Sequence, residues 1–395
     1  MRPAARPPLA EIDFDQAPFL VIWETTQACD LACVHCRAEA IPCRDAGELS
    51  TEEAFQLMRS VRRFGRPLFV LTGGDPAKRP DVVEIVEEGV RLGLRMGITP
   101  SATPLLTPEL LRRLTGVGLS RLAMSLDGAT PASHDAFRRV DGSFQRTIDS
   151  LRLARELGLS TQVNTTITRR TVGDFDAVVD LLLELDISLW SVFFLVPMGR
   201  ADRADLPAPE TFEEVFHRMA ELADHVPFDI KSTAAPQYRR VVVQRQVEAR
   251  RKGRRKKAPD PLTGGLGFSL ADGVGRARGV NEGSGFVFIS HRGEIMPSGF
   301  LPLARGNVRT HDLVDVYRDD ELFRSLRDPD GFGGKCGVCE FRSICGGSRA
   351  RAYALTGDPL AAEPSCSWEP ARWHQSRSAS GPASRTLPTI PGRPT

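Results

Sequence analysis

The stretch Cys29-Asp30-Leu31-Ala32-Cys33-Val34-His35-Cys36 constrains this chain more than any other. Thiols clustered this closely are read first as a metal site, and disulfides are rare in a reducing cytoplasm. A cubane iron–sulfur cluster is normally held by four Cys thiolates. Three thiolates from one loop wrap three irons and leave the fourth open to a substrate or cofactor. No second Cys-rich run lies nearby to fill that position, and Cys43 falls outside the spacing with no assigned role. The same spacing also sets three thiols on one helical face, where free Cys is a common small hydrophobe. The flanks argue against that. Residues 19–23 are continuously apolar and read as a buried strand, followed by the polar residues 24–27 and Ala28. The cysteines therefore leave the carboxyl end of a first strand, where α/β folds keep their chemistry.

A regular alternation follows. A capping signal at Ser50 and Glu53 opens a helix running towards residue 64, and residues 67–71 form a second buried strand. That strand ends in Thr72-Gly73-Gly74-Asp75-Pro76, whose glycines permit close backbone approach. Helices at 80–92, 107–116, 143–157 and 173–185 alternate with strands at 94–99, 121–128, 161–167 and 189–197. Six strands alternating with helices mean an α/β fold with a parallel sheet and right-handed crossovers. Ser125 and Asp127 precede a turn glycine, and Asn164 and Thr166 interrupt an otherwise apolar strand. A capped turn and a satisfied core amide explain them as readily as ligand contact.

Beyond residue 208 the alternation fades into a helix at 209–224 and a strand at 228–231. Residues 239–257 then carry ten Lys/Arg against one acid, Glu248. Such a run reads first as a solvated or disordered loop. It also suits steering of an acidic substrate, while the absence of interleaved aromatics speaks against nucleic acid. The chain as a whole has 395 residues, 41% of them hydrophobic, and a formal net charge of +2, so it is neither acidic nor basic. No apolar run is long enough for a membrane span, and the N-terminus has no apolar signal-peptide core, so a cytoplasmic location is expected.

The remaining cysteines gather near the end. After a hairpin signal at 286–297, Cys336, Cys339, Cys345 and Cys366 form C-x2-C-x5-C-x20-C. Four thiolates complete the ligand set of one [4Fe–4S] cluster or of one zinc, and the spacing suits both.

Trp23-Glu24-Thr25-Thr26 followed by CxxxCxxC, with His35 before the last Cys, resembles the radical S-adenosylmethionine (SAM) superfamily. The resemblance implies a partial (β/α)6 barrel with Cys29, Cys33 and Cys36 as ligands of a [4Fe–4S] cluster. The open iron of that cluster chelates SAM, and one electron cleaves SAM to methionine and a 5′-deoxyadenosyl radical that abstracts hydrogen from substrate. It further implies cofactor contacts from His35, the backbone of Gly73, Gly74 and Asp75 (the family's GGE motif, with Asp for Glu), and Ser125, Asp127, Arg138, Asn164, Thr166 and Met198. The terminal quartet, with Cys345-Gly346-Gly347 and Thr356-Gly357-Asp358, is similar to a SPASM/Twitch extension. Ser298 stands where such domains often place a Cys after the hairpin, which limits the chain to one auxiliary [4Fe–4S] cluster.

The organisation expected is an N-terminal extension (1–16), the barrel (17–205), a bridging region with the basic loop (206–285), the SPASM/Twitch-like domain (286–375) and a disordered tail (376–395). The branch it resembles most modifies tetrapyrroles, in haem b and haem d1 formation, and the mycofactocin peptide maturase is also similar. The resemblance thus implies an oxidoreductase or decarboxylase acting on an acidic tetrapyrrole propionate, fed by a reduced flavodoxin- or ferredoxin-type donor. The alternatives are maturation of a ribosomally made peptide and, in another class, a non-catalytic iron–sulfur or zinc protein whose basic loop binds nucleic acid.

Overall fold

The computed structural model describes residues 12–252 and 279–373. Seven parallel strands follow one another in chain order: β1 (Leu20–Glu24), β2 (Leu68–Thr72), β3 (Arg95–Ile98), β4 (Arg121–Ser125), β5 (Ser160–Ile167), β6 (Leu189–Phe194) and β7 (Asp229–Thr233). The alternation therefore runs one strand further than the six expected. Beyond β1 the sheet continues through β8 (Phe286–Ile289), which is parallel to β1, and the antiparallel β9 (Glu294–Met296) and β10 (Gly306–Asn307). The terminal hairpin is thus part of the barrel's own ten-stranded sheet, whose two edges are β10 and β7.

Strand side chains divide between the two faces, as the period of two requires. On the outer face Val21, Trp23, Phe69, Met96, Val163 and Trp190 are buried beneath the helices in one large core. On the inner face Ile22, Val70, Gly97, Ala123, Gln162 and Lys231, from six different strands, line a single cavity. One cavity shared by six strands means that the sheet wraps around it. The helices begin where their caps dictate. Ser50 and Glu53 form the expected capping box for Thr51–Arg62, Thr107 caps Pro108–Gly116, and Thr130 caps Pro131–Arg138. That last helix is absent from the sequence reading, although Thr130 followed by Pro131 carries the signal for its start.

The basic run departs from expectation. Gln237–Arg251 is a helix, not a loop. Charge density hid its apolar stripe: Tyr238, Val241 and Val242 are buried, and the helix packs on Pro209–Leu222. Its first arginines turn inward as well. Arg240 pairs with Glu213, and Arg239 donates to the carbonyls of Ile344 (3.1 Å) and Val280. Residues 253–257 of the run, most of the N-terminal extension and the tail at 376–395 lie outside the described residues. Residues 12–16 of the extension are tied down: Phe14 is buried and its carbonyl accepts from the Tyr317 hydroxyl (2.7 Å). Among the described residues no helix is long and apolar enough to cross a membrane.

Candidate active site

The loop after β1 carries Cys29, Cys33 and Cys36, and it is held by the loops after β2 and β6. Gly74 N–H donates to the Thr26 carbonyl (2.8 Å) and Asp75 N–H to the Ala28 carbonyl (2.7 Å). A Cβ on Gly73 or Gly74 would overlap those same carbonyl oxygens. The glycine pair is therefore needed first for loop-against-loop packing, and Gly74 N–H is already spent inside the protein. From the other side, Arg200 donates its N–H to the Cys36 carbonyl (3.0 Å), Nε to the Cys33 carbonyl (3.1 Å) and Nη1 to the Ala40 carbonyl (3.1 Å). The resemblance implies a cofactor contact from Met198, two residues earlier. Met198 instead packs with Val196, Leu301 and Ala350, and Arg200 is the residue of that turn that touches the Cys loop.

Cys29, Cys33, His35 and Cys36 line a cavity of about 200 Å³ together with Gly73, Gly74, Ser125, Arg138, Asn164 and Thr166. All ten are among the residues that the resemblance implies for the cluster and SAM. Asp75 and Asp127 lie outside that wall. The Asp75 carboxylate accepts from Ala77 N–H (3.0 Å), Ser101 N–H (3.2 Å) and the Thr103 hydroxyl (2.7 Å), so it braces the loop. Asp127 accepts from Thr166 N–H (2.7 Å) and pairs with Arg138, whose Nη1 also reaches Cys33 Sγ (3.5 Å). Asp127 thus orients a cavity residue and touches none of the space itself. The His35 ring stacks on Phe137 with centroids 4.4 Å apart, and its Nδ1 is buried without a partner. Burial, with Arg138 adding to it, pulls His35 down to about 4, so the ring is neutral at pH 7.

The donor set fits an iron–sulfur cluster. Cys29 Sγ accepts from Leu31 N–H (3.3 Å) and lies 3.2 Å from the Ser101 hydroxyl, yet burial pushes its thiol up to about 11. Such a thiol becomes a thiolate only beside a cationic centre. Ser101 was not foreseen, because nothing in sequence ties a residue after β3 to the first cysteine.

A second cavity, of about 260 Å³, opens beyond the first. The two share Arg37, Thr72, Thr99, Asn164, Phe193 and Phe300, so they meet. The larger one is mostly apolar on β1 and β2, and is studded with cations: Arg37, Arg121, Lys231 and Arg239. Among the described residues its one lining carboxylate, Glu282, accepts from the Ser348 hydroxyl (3.2 Å) and Arg349 N–H (3.3 Å). Burial, and Arg121 after it, pull Lys231 down to about 7. Ser298 lines this cavity too, apart from every cysteine.

The terminal thiols make a different site. Cys336, Cys339, Cys345 and Cys366 ring a cavity of about 20 Å³ walled by Arg240, Lys335, Glu363 and Trp368. Burial pushes the Cys339, Cys345 and Cys366 thiols upward, Cys366 to about 11, and none of the four cysteines is in a disulfide. Glu363 N–H donates to Cys336 Sγ (3.3 Å) and Gly347 N–H to Cys345 Sγ (3.4 Å), as thiolate ligands require. Among the described residues no three His, Cys, Asp or Glu side chains converge closely enough to hold a single metal ion. Asn281 and Arg239 belong to the wall of the larger cavity and also bond the Cys345 segment: Asn281 Nδ2 donates to the carbonyls of Cys345 (3.4 Å) and Gly347 (3.1 Å).

Residues 23–182 match the radical SAM superfamily. An AdoMet-dependent heme synthase of Methanosarcina barkeri is 37% identical over 361 residues, covering 91% of this chain and 99% of that one. The chain is a radical SAM enzyme. In this superfamily SAM and a [4Fe–4S] cluster are the cofactors, and the three-cysteine loop is where the donor set fits them. A mycofactocin maturase of Mycobacterium ulcerans is 31% identical, over 89% of this chain and 88% of that one. Among solved structures, Streptococcus suis SuiB bound to S-adenosylmethionine superposes with a TM-score of 0.66 at 18% identity, over 89% of this radical SAM chain and 78% of that one. At that identity the likeness is one of fold.

Proposed function

We propose that this radical SAM enzyme acts on the propionate side chains of a tetrapyrrole, by oxidative decarboxylation or side-chain removal. The observation that carries the reading is the cation-lined cavity opening directly onto the three-cysteine loop. The whole-length similarity to an AdoMet-dependent heme synthase supports it. A flat apolar macrocycle with carboxylate arms suits a wall of Ile22, Leu68, Val70 and Phe286 interrupted by Arg121, Lys231 and Arg239.

Cys29, Cys33 and Cys36 would hold the cluster, and Gly73, Ser125, Arg138, Asn164 and Thr166 the SAM beside it. When bound, the cluster and SAM supply a hydrogen-abstracting radical. The chain does the rest. Arg138 and Asp127 fix each other, the loop contacts of Arg200 and Gly74 hold the cysteines in register, and the shared residues Thr72, Asn164 and Phe193 bring SAM and substrate spaces together. The SPASM/Twitch-like terminal segment would hold one auxiliary [4Fe–4S] cluster through all four thiols. The similarity of this segment to SPASM/Twitch extensions supports a cubane, and four thiols complete its ligand set. Full Cys ligation assigns that cluster to electron transfer or structure. A reduced flavodoxin or ferredoxin in the cytoplasm is the fitting donor.

The mycofactocin maturase, similar over nearly its whole length, favours peptide maturation as the second reading. Anaerobic, reconstituted enzyme given dithionite and SAM should convert an iron porphyrin carrying propionates to a decarboxylated or side-chain-shortened product. Turnover of a small precursor peptide with every porphyrin left unchanged would replace the first reading by the second.

A further inference from the structure

Arg37 follows the last cysteine of the loop directly, so its backbone moves with the cluster site. It lines both cavities and, among the described residues, is the one cation of the six that they share. Its anchoring is one-sided. Nη2 donates to Glu24 Oε2 at 2.5 Å, and the guanidinium lies over the Phe288 ring at 4.7 Å. Nη1 makes a long bond to the Gly299 carbonyl (3.4 Å). Glu24, in turn, is buried and also bonds His291, whose Nδ1 is 2.7 Å from Oε1.

We infer that Arg37 is the residue that receives a substrate carboxylate where the two cavities meet, and so sets how far that arm reaches towards SAM. A guanidinium carries five N–H donors in a rigid fork. Glu24 takes one strongly and Gly299 one weakly, which leaves an edge for a second, incoming carboxylate. Glu24 engages Nη2 and also bonds His291, so the rest of the fork is not claimed by that carboxylate. The stack on Phe288 and the Glu24 bond remove most of the rotamer freedom that a flexible cation gives up on binding, so the fork is preorganised. An arginine with a purely structural role has no need to face both spaces with 19% of its side chain exposed.

The inference rests on the tetrapyrrole reading and adds to it a substrate-binding residue. Its test uses the reconstituted full chain as parent, R37Q and R37K, with two probes: an iron porphyrin bearing four propionates and its tetramethyl ester. Affinity is read from the shift of the porphyrin absorbance band, and the ratio of acid to ester affinity is taken within each variant, so a loss of folded protein cancels. R37Q should lower that ratio about ten- to hundredfold, the range of a lost charge-assisted contact. R37K should recover part of the ratio as a point charge, yet give less product per SAM cleaved, because a point charge does not fix an arm as a fork does. Equal weakening of acid and ester in R37Q would overturn the assignment of Arg37 alone. A parent enzyme that binds neither porphyrin would overturn the tetrapyrrole reading and the inference with it.

Discussion

The molecule holds two sets of cysteines, and their surroundings differ in kind. The three thiols after β1 face about 200 Å³ of space that joins a further 260 Å³, whereas the four terminal thiols enclose about 20 Å³. The first loop is clasped through its backbone, by Gly74, Asp75 and Arg200. The second is set among buried ionic side chains. Arg351 and Glu363 pair at 3.0 Å with both side chains fully buried, and Arg349 bonds the carbonyls of Pro359 (3.1 Å) and Ala361 (2.7 Å). One site opens onto ligand-sized space, and the other is closed around its own thiols. An open position belongs with SAM chemistry, and a closed one with electron storage or structural support.

The largest effect that separates the two comes from the cysteines themselves. Cys33→Ala should abolish 5′-deoxyadenosine formation. Cys345→Ala should remove about half of the iron, one cubane of two, and still permit deoxyadenosine to form. Iron analysis with chromatographic detection of deoxyadenosine reads both. If Cys345→Ala abolishes SAM cleavage as completely as Cys33→Ala, the two sites are not separable.

Next comes the frame of the closed site. Arg351→Met leaves Glu363 buried without its partner and should cost about 3–5 kcal/mol in chemical denaturation. Iron should leave the terminal thiols before the first loop. A smaller penalty belongs to the open site: Gly74→Ala drives a methyl into the Ala28 carbonyl and should cost about 2–3 kcal/mol together with SAM binding. Gly173→Ala, where an added Cβ meets nothing within 4 Å, is the matched control and should be near neutral.

The smallest effect lies at the seam between the regions, where Glu53 of the first helix pairs with Arg309 at 2.6 Å. The hydrogen bond from Arg309 pulls the Glu53 carboxyl down to about 2 from 4.5. A depressed carboxyl stabilises the fold above its unfolded value and loses that contribution as pH falls from 4.5 through 2. The pair is partly exposed, so Glu53→Gln should lower stability at neutral pH by less than about 1 kcal/mol and flatten the acid limb of a stability–pH profile. An unchanged acid limb would remove this pair from the seam.

Much of the open site was legible in sequence because its chemistry is local. Three cysteines in one loop and polar residues at the ends of β2, β4 and β5 announce themselves by spacing and by breaking an apolar run. What the sequence did not disclose is long-range. Ser101 reaches Cys29 across 72 residues, and Arg37 gains its place only through Phe288 and Gly299 far along the chain. Asp127 is ambiguous in sequence for a related reason: a carboxylate at a strand end looks the same whether it faces a ligand or, as here, braces Thr166 and Arg138. The helix Gln237–Arg251 was hidden by its charges, since two inward arginines find carbonyls and Glu213 that no local pattern shows.

The most direct test of an open and a closed cluster is the electron paramagnetic resonance spectrum of the reduced enzyme with and without SAM. The account predicts about eight irons per chain and two cluster signals, one of which changes when SAM binds while the other stays as it was. Two signals that both ignore SAM, or that both respond to it, would contradict it.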